Sequence, residues 1–324
     1  MHRIWFERAV PPKFLPLLGG DVTVLGPASA TPEAPLSALA GAQAAIVGSR
    51  IRFDGALLDQ FPGLRAIVRT GIGYDNISVP DATARRVAVC NVPSGPTIST
   101  AEHAVALLLA TVKHLKHSDR ELRRGGKTDF FSEYDGLEVY GRRLGLIGMG
   151  RIGSRVARVA QALEMVVVVY DPFISAEQAA AAGVELAPTL GALLQTADVV
   201  TLHAPYTPET HHLINAERLA QMKPGAYLVN AARGGLVDEA ALLAALERGH
   251  LRGAGLDVFD PEPPRPHHPL LQRDDVIGTG HVAGGTQASK DRLLEGAIVQ
   301  ALNVLRGERP PFLVNPEVWP LIQP

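Results

Sequence analysis

A chain of 324 residues that is 46% hydrophobic and 20% charged can bury real cores, which excludes wholesale disorder and suits two ordinary domains. Thirty-one Lys and Arg against 33 Asp and Glu leave a formal charge of −2, so no basic excess points to a nucleic acid. No apolar run has the length of a membrane span.

Near the start, Phe14–Leu18 with Ala28-Ser29-Ala30 faintly resembles a secretory leader, but Pro16 and Asp21 interrupt it, and a cytoplasmic chain is expected. Arg3–Phe6, Val22–Leu25, Ala44–Val47 and Leu64–Arg69 read as strands, with Leu36–Ala40 and Gly55–Gln60 as helices between them. Such alternation predicts βαβ units and a parallel sheet. Cys90, the single cysteine, allows no internal disulfide and no cysteine metal cluster; Val89 and Val92 beside it suggest a strand and a buried thiol. From Ser99 to about Arg124 the pattern predicts one long helix, capped by Ser99 or Thr100, with Glu102 in its first turn and Gly125-Gly126 at its end. A helix of that length suits a bridge between domains or packing across a dimer. A second series follows: strands at Arg143–Gly148, Met165–Asp171, Asp198–His203, Ala226–Ala231, Gly253–Val258 and Asp275–Thr279, with helices at Arg151–Glu164 and Leu236–Arg248. Six strands with helices between them make a doubly wound sheet. The helix Gln287–Arg306 and a proline-rich tail then return to the first domain.

Gly148-Met149-Gly150-Arg151-Ile152-Gly153 matches G-x-G-x-x-G, with a strand running in and a helix running out. The glycines allow a tight turn, close backbone approach to a pyrophosphate and close helix–strand packing, while the helix start offers N–H groups to phosphate. Asp171, 18 residues after Gly153, ends the next strand, where a carboxylate accepts from the ribose hydroxyls and repels a 2′-phosphate. NAD is therefore expected over NADP.

Ligands of open parallel sheets sit beyond the carboxyl ends of the strands. The residues just past the later strands are Arg233, Glu262 and His281, with Asp257 still on its strand. A planar guanidinium grips a carboxylate through two bonds, an imidazole trades a proton near neutral pH, and a carboxylate beside it orients the ring. Hydride transfer to C2 of a 2-keto acid needs this set. On the residues alone, Arg233 also fits a surface place at a glycine turn, Glu262 a solvated acid, and His281 a satisfied loop histidine. His211-His212 and His267-His268 lack metal-ligand spacing, and His103, His114 and His117 fit packing or surface places on the long helix, so no metal site is expected.

In chain order, Arg69-Thr70-Gly71-Ile72-Gly73-Tyr74-Asp75-Asn76-Ile77, Gly148–Gly153, Asn230-Ala231-Ala232-Arg233-Gly234-Gly235, Leu256-Asp257-Val258-Phe259 with Glu262-Pro263, and His281-Val282-Ala283-Gly284 resemble the D-isomer-specific 2-hydroxyacid dehydrogenases, over about residues 44 to 315. The resemblance implies a Rossmann domain, 98–285, inserted into a smaller flavodoxin-like α/β substrate domain, 1–97 with 286–324. It implies that Arg233 binds the substrate carboxylate, that His281 is the acid/base supported by Glu262, and that Ile72 and Gly73 offer backbone N–H groups to that carboxylate; the substrate is expected in the cleft between domains. Arg151 and Ile152 would lie at the pyrophosphate and Asp257 near the nicotinamide carboxamide, with Ala204, Pro205, Ala231, Arg233, His281 and Gly284 also facing the cofactor. Members of the family are typically homodimers.

Two departures bear on substrate and mobility. The family usually has Thr-Pro before the histidine, where this chain has Thr279-Gly280, so a looser His281 loop is expected. Phosphoglycerate-oxidising members tend to carry Val-Arg-Ser where this chain reads Val47-Gly48-Ser49; Gly48 cannot grip a phosphate, which leaves Arg50, Arg52 or Arg69 as candidates for that, and the length leaves no expected regulatory domain. Both favour a glyoxylate or hydroxypyruvate reductase over a phosphoglycerate dehydrogenase. Glu262 separates the chain from formate dehydrogenase-like members, which usually carry glutamine. A rival in another class is an NAD(H)-sensing, corepressor-like relative without turnover.

Overall fold

Five parallel strands organise the first unit: β1 (His2–Phe6), β2 (Val22–Leu25), β3 (Ala44–Val47), β4 (Ala66–Arg69) and β5 (Ala88–Asn91), in the order β2-β1-β3-β4-β5. That is the flavodoxin-like order. All four residues of β3 are buried, as expected of a strand covered on both faces. On one face Ile298, Ala301 and Leu302 of the helix Gln287–Leu305 pack against Ile46, Val68 and Cys90. On the other, Leu39, Leu58, Phe61 and Ala82 cover Trp5, Ala45, Ile67 and Val89. The buried Asn315 side chain ties the tail to β5, accepting from the Val89 amide at 2.8 Å and donating to the Val87 carbonyl at 3.0 Å. The computed structural model describes residues 1–26, 36–126 and 134–322, so Ala28-Ser29-Ala30 lies outside the described residues. Contacts divide the chain into Met1–Pro96 with Thr286–Pro324, and Thr97–Gly285.

Cys90 is fully buried on β5, and burial pushes its thiol up to about 12. The native protein is therefore expected to leave Cys90 unmodified by a thiol-exchange reagent at about pH 8 and to titrate one thiol on unfolding. Stoichiometric labelling of the native chain within minutes would contradict this.

The second unit holds seven parallel strands: β6 (Arg143–Ile147), β7 (Val166–Tyr170), β8 (Glu185–Leu186), β9 (Val199–Leu202), β10 (Ala226–Asn230), β11 (Leu251–Leu256) and β12 (Val276–Gly278). Their order is β8-β7-β6-β9-β10-β11-β12, the Rossmann arrangement with one strand added at an edge. The sequence predicts six of these. The seventh, β8, is an edge pair of residues with no alternating apolar signal.

The single long helix is also corrected. The chain forms Thr97–Val112 and Leu115–Arg123, separated at His114, whose φ of 49° is left-handed and stops an α-helix. Tertiary partners hold the break. The His114 ring meets the Tyr227 hydroxyl at 3.1 Å, and Lys116 Nζ donates to the carbonyls of Arg273 and Val276 at 2.6 and 2.8 Å. The helix begins at Thr97, so Ser99 and Thr100 are buried inside it rather than capping it. Among the described residues no helix is long and apolar enough to cross a membrane.

Candidate active site

The order of strands reverses direction between β6 and β9, and the glycine turn leaves β6 there. Gly148 has φ 91°, a conformation L side chains rarely adopt, and an added Cβ would meet the His203 carbonyl at 2.9 Å. At Gly153 a Cβ would lie 2.1 Å from the Gly148 oxygen, so only glycine lets the helix Gly153–Ala162 start this close to the strand. Gly150 differs: a Cβ there would meet nothing within 4 Å. The fold itself sets no steric demand for glycine there. Arg151 and Ile152 form the turn into the helix, whose N-terminal dipole favours an anion.

Asp171 follows β7, and its two oxygens accept from the amides of Met149 at 2.8 Å and Phe173 at 2.9 Å. The carboxylate is thereby fixed beside the glycine turn. Ala204 and Pro205 follow β9, Ala231 follows β10 and Gly284 lies in the loop after β12. All of these stand beyond the carboxyl edge of one sheet. This donor set suits NAD: a glycine cradle for the diphosphate and an acid for the ribose. Gly153→Ala is expected to lower Tm and NADH affinity together, at about 1–3 kcal/mol of stability. Gly150→Ala should keep the native Tm and weaken NADH by about tenfold or more, because its methyl occupies the diphosphate's approach. Calorimetric titration beside thermal melting separates the two, and equal NADH affinity in Gly150→Ala and the native protein would contradict the cradle.

The second cluster lies past β10, β11 and β12. The buried Asn230 braces the first turn from both sides: its Oδ1 accepts from the Ala232 amide at 3.0 Å, and its Nδ2 donates to the Arg233 carbonyl at 2.8 Å. Gly234 permits this turn to rest on the exit of β11, since a Cβ would lie 2.0 Å from the Phe259 oxygen. Arg233 is half-buried, and its charge reaches Glu262.

His281 Nδ1 meets Glu262 Oε2 at 2.8 Å, and Glu262 Oε1 accepts from the Phe259 amide at 3.2 Å. Partial burial pushes the Glu262 carboxyl up. The hydrogen bond and charge of His281, the Phe259 amide and Arg233 outweigh it, holding the carboxyl below its ordinary range. His281 has φ 53°, in the left-handed region that non-glycine residues seldom adopt.

Asp257 holds that conformation. It is fully buried, and its carbonyl accepts from the His281 amide at 2.6 Å. Its carboxylate accepts from the amides of Val282 and Ala283 at 2.9 Å each and from the Thr279 hydroxyl at 2.6 Å. Residues on both sides of Gly280 are thus anchored to Asp257. The sequence places Asp257 near the strand end but does not reveal this role. His103, read only as a packing or surface residue, joins the network: its Nε2 lies 3.0 Å from Thr279 Oγ1. Helical spacing carried no signal for that, because the partner is far along the chain.

Arg233, Glu262, His281 and Asp257 are brought together within the second unit. Ile72 and Gly73 belong to the first, in the loop after β4, where the Ile72 carbonyl accepts from Asn91 Nδ2 at 2.7 Å.

The reversed sheet, the glycine turn and the anchored acid define a dinucleotide-binding Rossmann domain carrying an Arg, Glu and His set at its carboxyl edge. The family model for the D-isomer specific 2-hydroxyacid dehydrogenase NAD binding domain matches residues 105–283. The chain is 43% identical over 248 residues to a D-3-phosphoglycerate dehydrogenase of Archaeoglobus fulgidus, covering 76% of this chain and 46% of the relative. It is 41% identical over 267 residues to a glyoxylate reductase of Korarchaeum cryptofilum, covering 82% and 80%. A D-lactate dehydrogenase from Aquifex aeolicus, solved with NAD and lactic acid, superposes with a TM-score of 0.83 at 31% identity, covering 97% of this chain and 99% of that one. The chain belongs to the D-isomer-specific 2-hydroxyacid dehydrogenase family, and residues 105–283 are its NAD-binding domain. It spans about half the length of the curated phosphoglycerate dehydrogenases it matches.

Proposed function

We propose that this chain is an NAD-dependent dehydrogenase of small D-2-hydroxy acids and their 2-keto partners, acting as a glyoxylate or hydroxypyruvate reductase. The observation that carries the assignment is the 2.8 Å contact between His281 Nδ1 and Glu262 Oε2, within reach of the Arg233 charge. When bound, NAD(H) supplies or takes up the hydride. Arg233 binds the substrate carboxylate as a planar fork. Glu262 occupies Nδ1 and orients the ring, which leaves Nε2 of His281 to exchange the proton of the C2 oxygen. Asp171 selects NADH over NADPH by repelling a 2′-phosphate.

The finer choice of substrate rests on the first unit, taken as the substrate domain. At the carboxyl ends of β1 and β3, the Gly48 amide donates to the Glu7 carboxylate. A carboxylate at that edge, with glycine where an arginine would grip a phosphate, disfavours a phosphorylated substrate. The name of the Archaeoglobus relative favours the second reading, a phosphoglycerate dehydrogenase. The buried free thiol of Cys90 suits a reducing, cytoplasmic setting, and we assign the chain to a homodimer, checked by light scattering at twice the chain mass.

NADH oxidation against glyoxylate, hydroxypyruvate, pyruvate and phosphohydroxypyruvate tests the assignment. The largest kcat/KM is expected with glyoxylate or hydroxypyruvate. Preference for the phosphorylated acid would overturn the substrate, and tight NADH binding without turnover on any of them would make the chain an NAD(H) sensor. With the preferred acid, Arg233→Ala should raise KM by about 10²-fold, the loss of a bidentate charged pair.

A further inference from the structure

Glu262 is carried on a loop, residues 260–268, and both ends of that loop meet one carboxylate. Glu239, the first residue of the helix Glu239–Glu247, accepts the Asp260 amide through Oε1 at 2.9 Å. Its Oε2 pairs with His268 Nε2 at 3.0 Å. The two side chains are only 16% and 19% exposed, and the His268 ring stands edge-on to Phe259 at 5.7 Å between centroids. Phe259 is also the residue whose amide donates to Glu262. Asp238 caps the helix through the Ala241 amide, which leaves the Glu239 side chain available to the loop. Burial pushes the Glu239 carboxyl above its ordinary range, against the pull of the Asp260 amide and His268.

We propose that Glu239 is a positioning residue for the acid/base pair, a clasp that joins Asp260 to His268 and so holds Glu262 against His281; this rests on the acid/base assignment above. Residues 260–268 contain no strand or helix of their own. Glu262 takes one backbone bond, from Phe259 just before the loop, so the rest of its aim depends on how the loop is closed. Joining the two ends removes much of the loop's freedom. Misplacing an acid/base pair by even 1 Å is enough to slow chemistry, by roughly 10²-fold in severe cases.

The test is steady-state kinetics with NADH and the preferred 2-keto acid on Glu239→Ala, Glu239→Gln, Glu262→Ala and the Glu239→Ala/Glu262→Ala double variant. Glu239→Ala should lower kcat by about tenfold or more with KM and NADH affinity within about twofold of native. Glu239→Gln, which keeps an acceptor for Asp260 and a polar partner for His268, should restore most of that loss. On the Glu262→Ala background, Glu239→Ala should add nothing, because the group it positions is already gone. A native kcat in Glu239→Ala, or the same fold loss on both backgrounds, would overturn the clasp alone. A native kcat in Glu262→Ala would overturn the acid/base assignment and the clasp with it. Should Glu239→Ala fail to fold, His268→Ala releases one end only. A smaller kcat loss that vanishes on the Glu262→Ala background supports the clasp, and native turnover or an additive loss overturns it.

Discussion

Replacing His281 with asparagine is expected to lower kcat by about 10²–10⁴-fold while NADH still binds. Asparagine is the informative choice because the position has φ 53°, which asparagine tolerates better than most residues. The loop can keep its anchors on Asp257, since those involve the Thr279 hydroxyl and backbone amides rather than the ring. What disappears is the group proposed to move a proton to the C2 oxygen, and Glu262 loses its 2.8 Å partner. The Glu262 carboxyl lies below its ordinary range in the folded chain. Its stabilising contribution is therefore complete above the usual glutamate value of about 4.3 and is lost as pH falls through the lower folded value. Turnover of His281→Asn at the native rate on the preferred acid would remove His281 from the chemistry.

Asp257→Ala is expected to combine a stability loss with a kinetic one. The substitution strips the Val282 and Ala283 amides and the Thr279 hydroxyl of a charged acceptor, and Ala283 is buried. Each bond to a charged group contributes about 1.5–3 kcal/mol, with partial recovery from water at the exposed Val282, so a net loss of about 3–5 kcal/mol follows. For a unit of this size that is a fall in Tm of roughly 6–20 °C. kcat should fall by about 10²-fold, since the Asp257 carboxylate ties down the two residues that follow His281, leaving the His281 amide bond to the residue 257 carbonyl and the Glu262 contact to hold the ring. Scanning calorimetry with stopped-flow NADH oxidation measures both. An unchanged Tm with reduced kcat would mean that Asp257 acts on the ligand rather than on the loop.

Local chemistry explains what was legible in advance. A glycine turn between β6 and its helix, with Asp171 a strand later, is written in consecutive residues because a phosphate cradle is made of consecutive backbone. That Arg233, Glu262 and His281 gather at one edge could be read because parallel strands all deliver their following loops to one edge, so counting strands locates it. The break at His114 could not be read, since residues 99–124 are helical by pattern and the break is held by Tyr227 and by carbonyls beyond residue 270. The edge strand β8 is too short to show a period.

A near-neutral chain with one cysteine and two alternating series of strands already determined by itself the α/β class, the dinucleotide turn and the three residue types proposed for the site. Tertiary structure alone decided how those side chains are held. Asp257 spans from β11 to the loop after β12 and is joined by His103 of a distant helix, while Glu239 reaches across to both ends of residues 260–268. Hydrogen bonds between segments far apart in the chain leave no periodic trace, because they depend on where two loops meet and not on which residues adjoin.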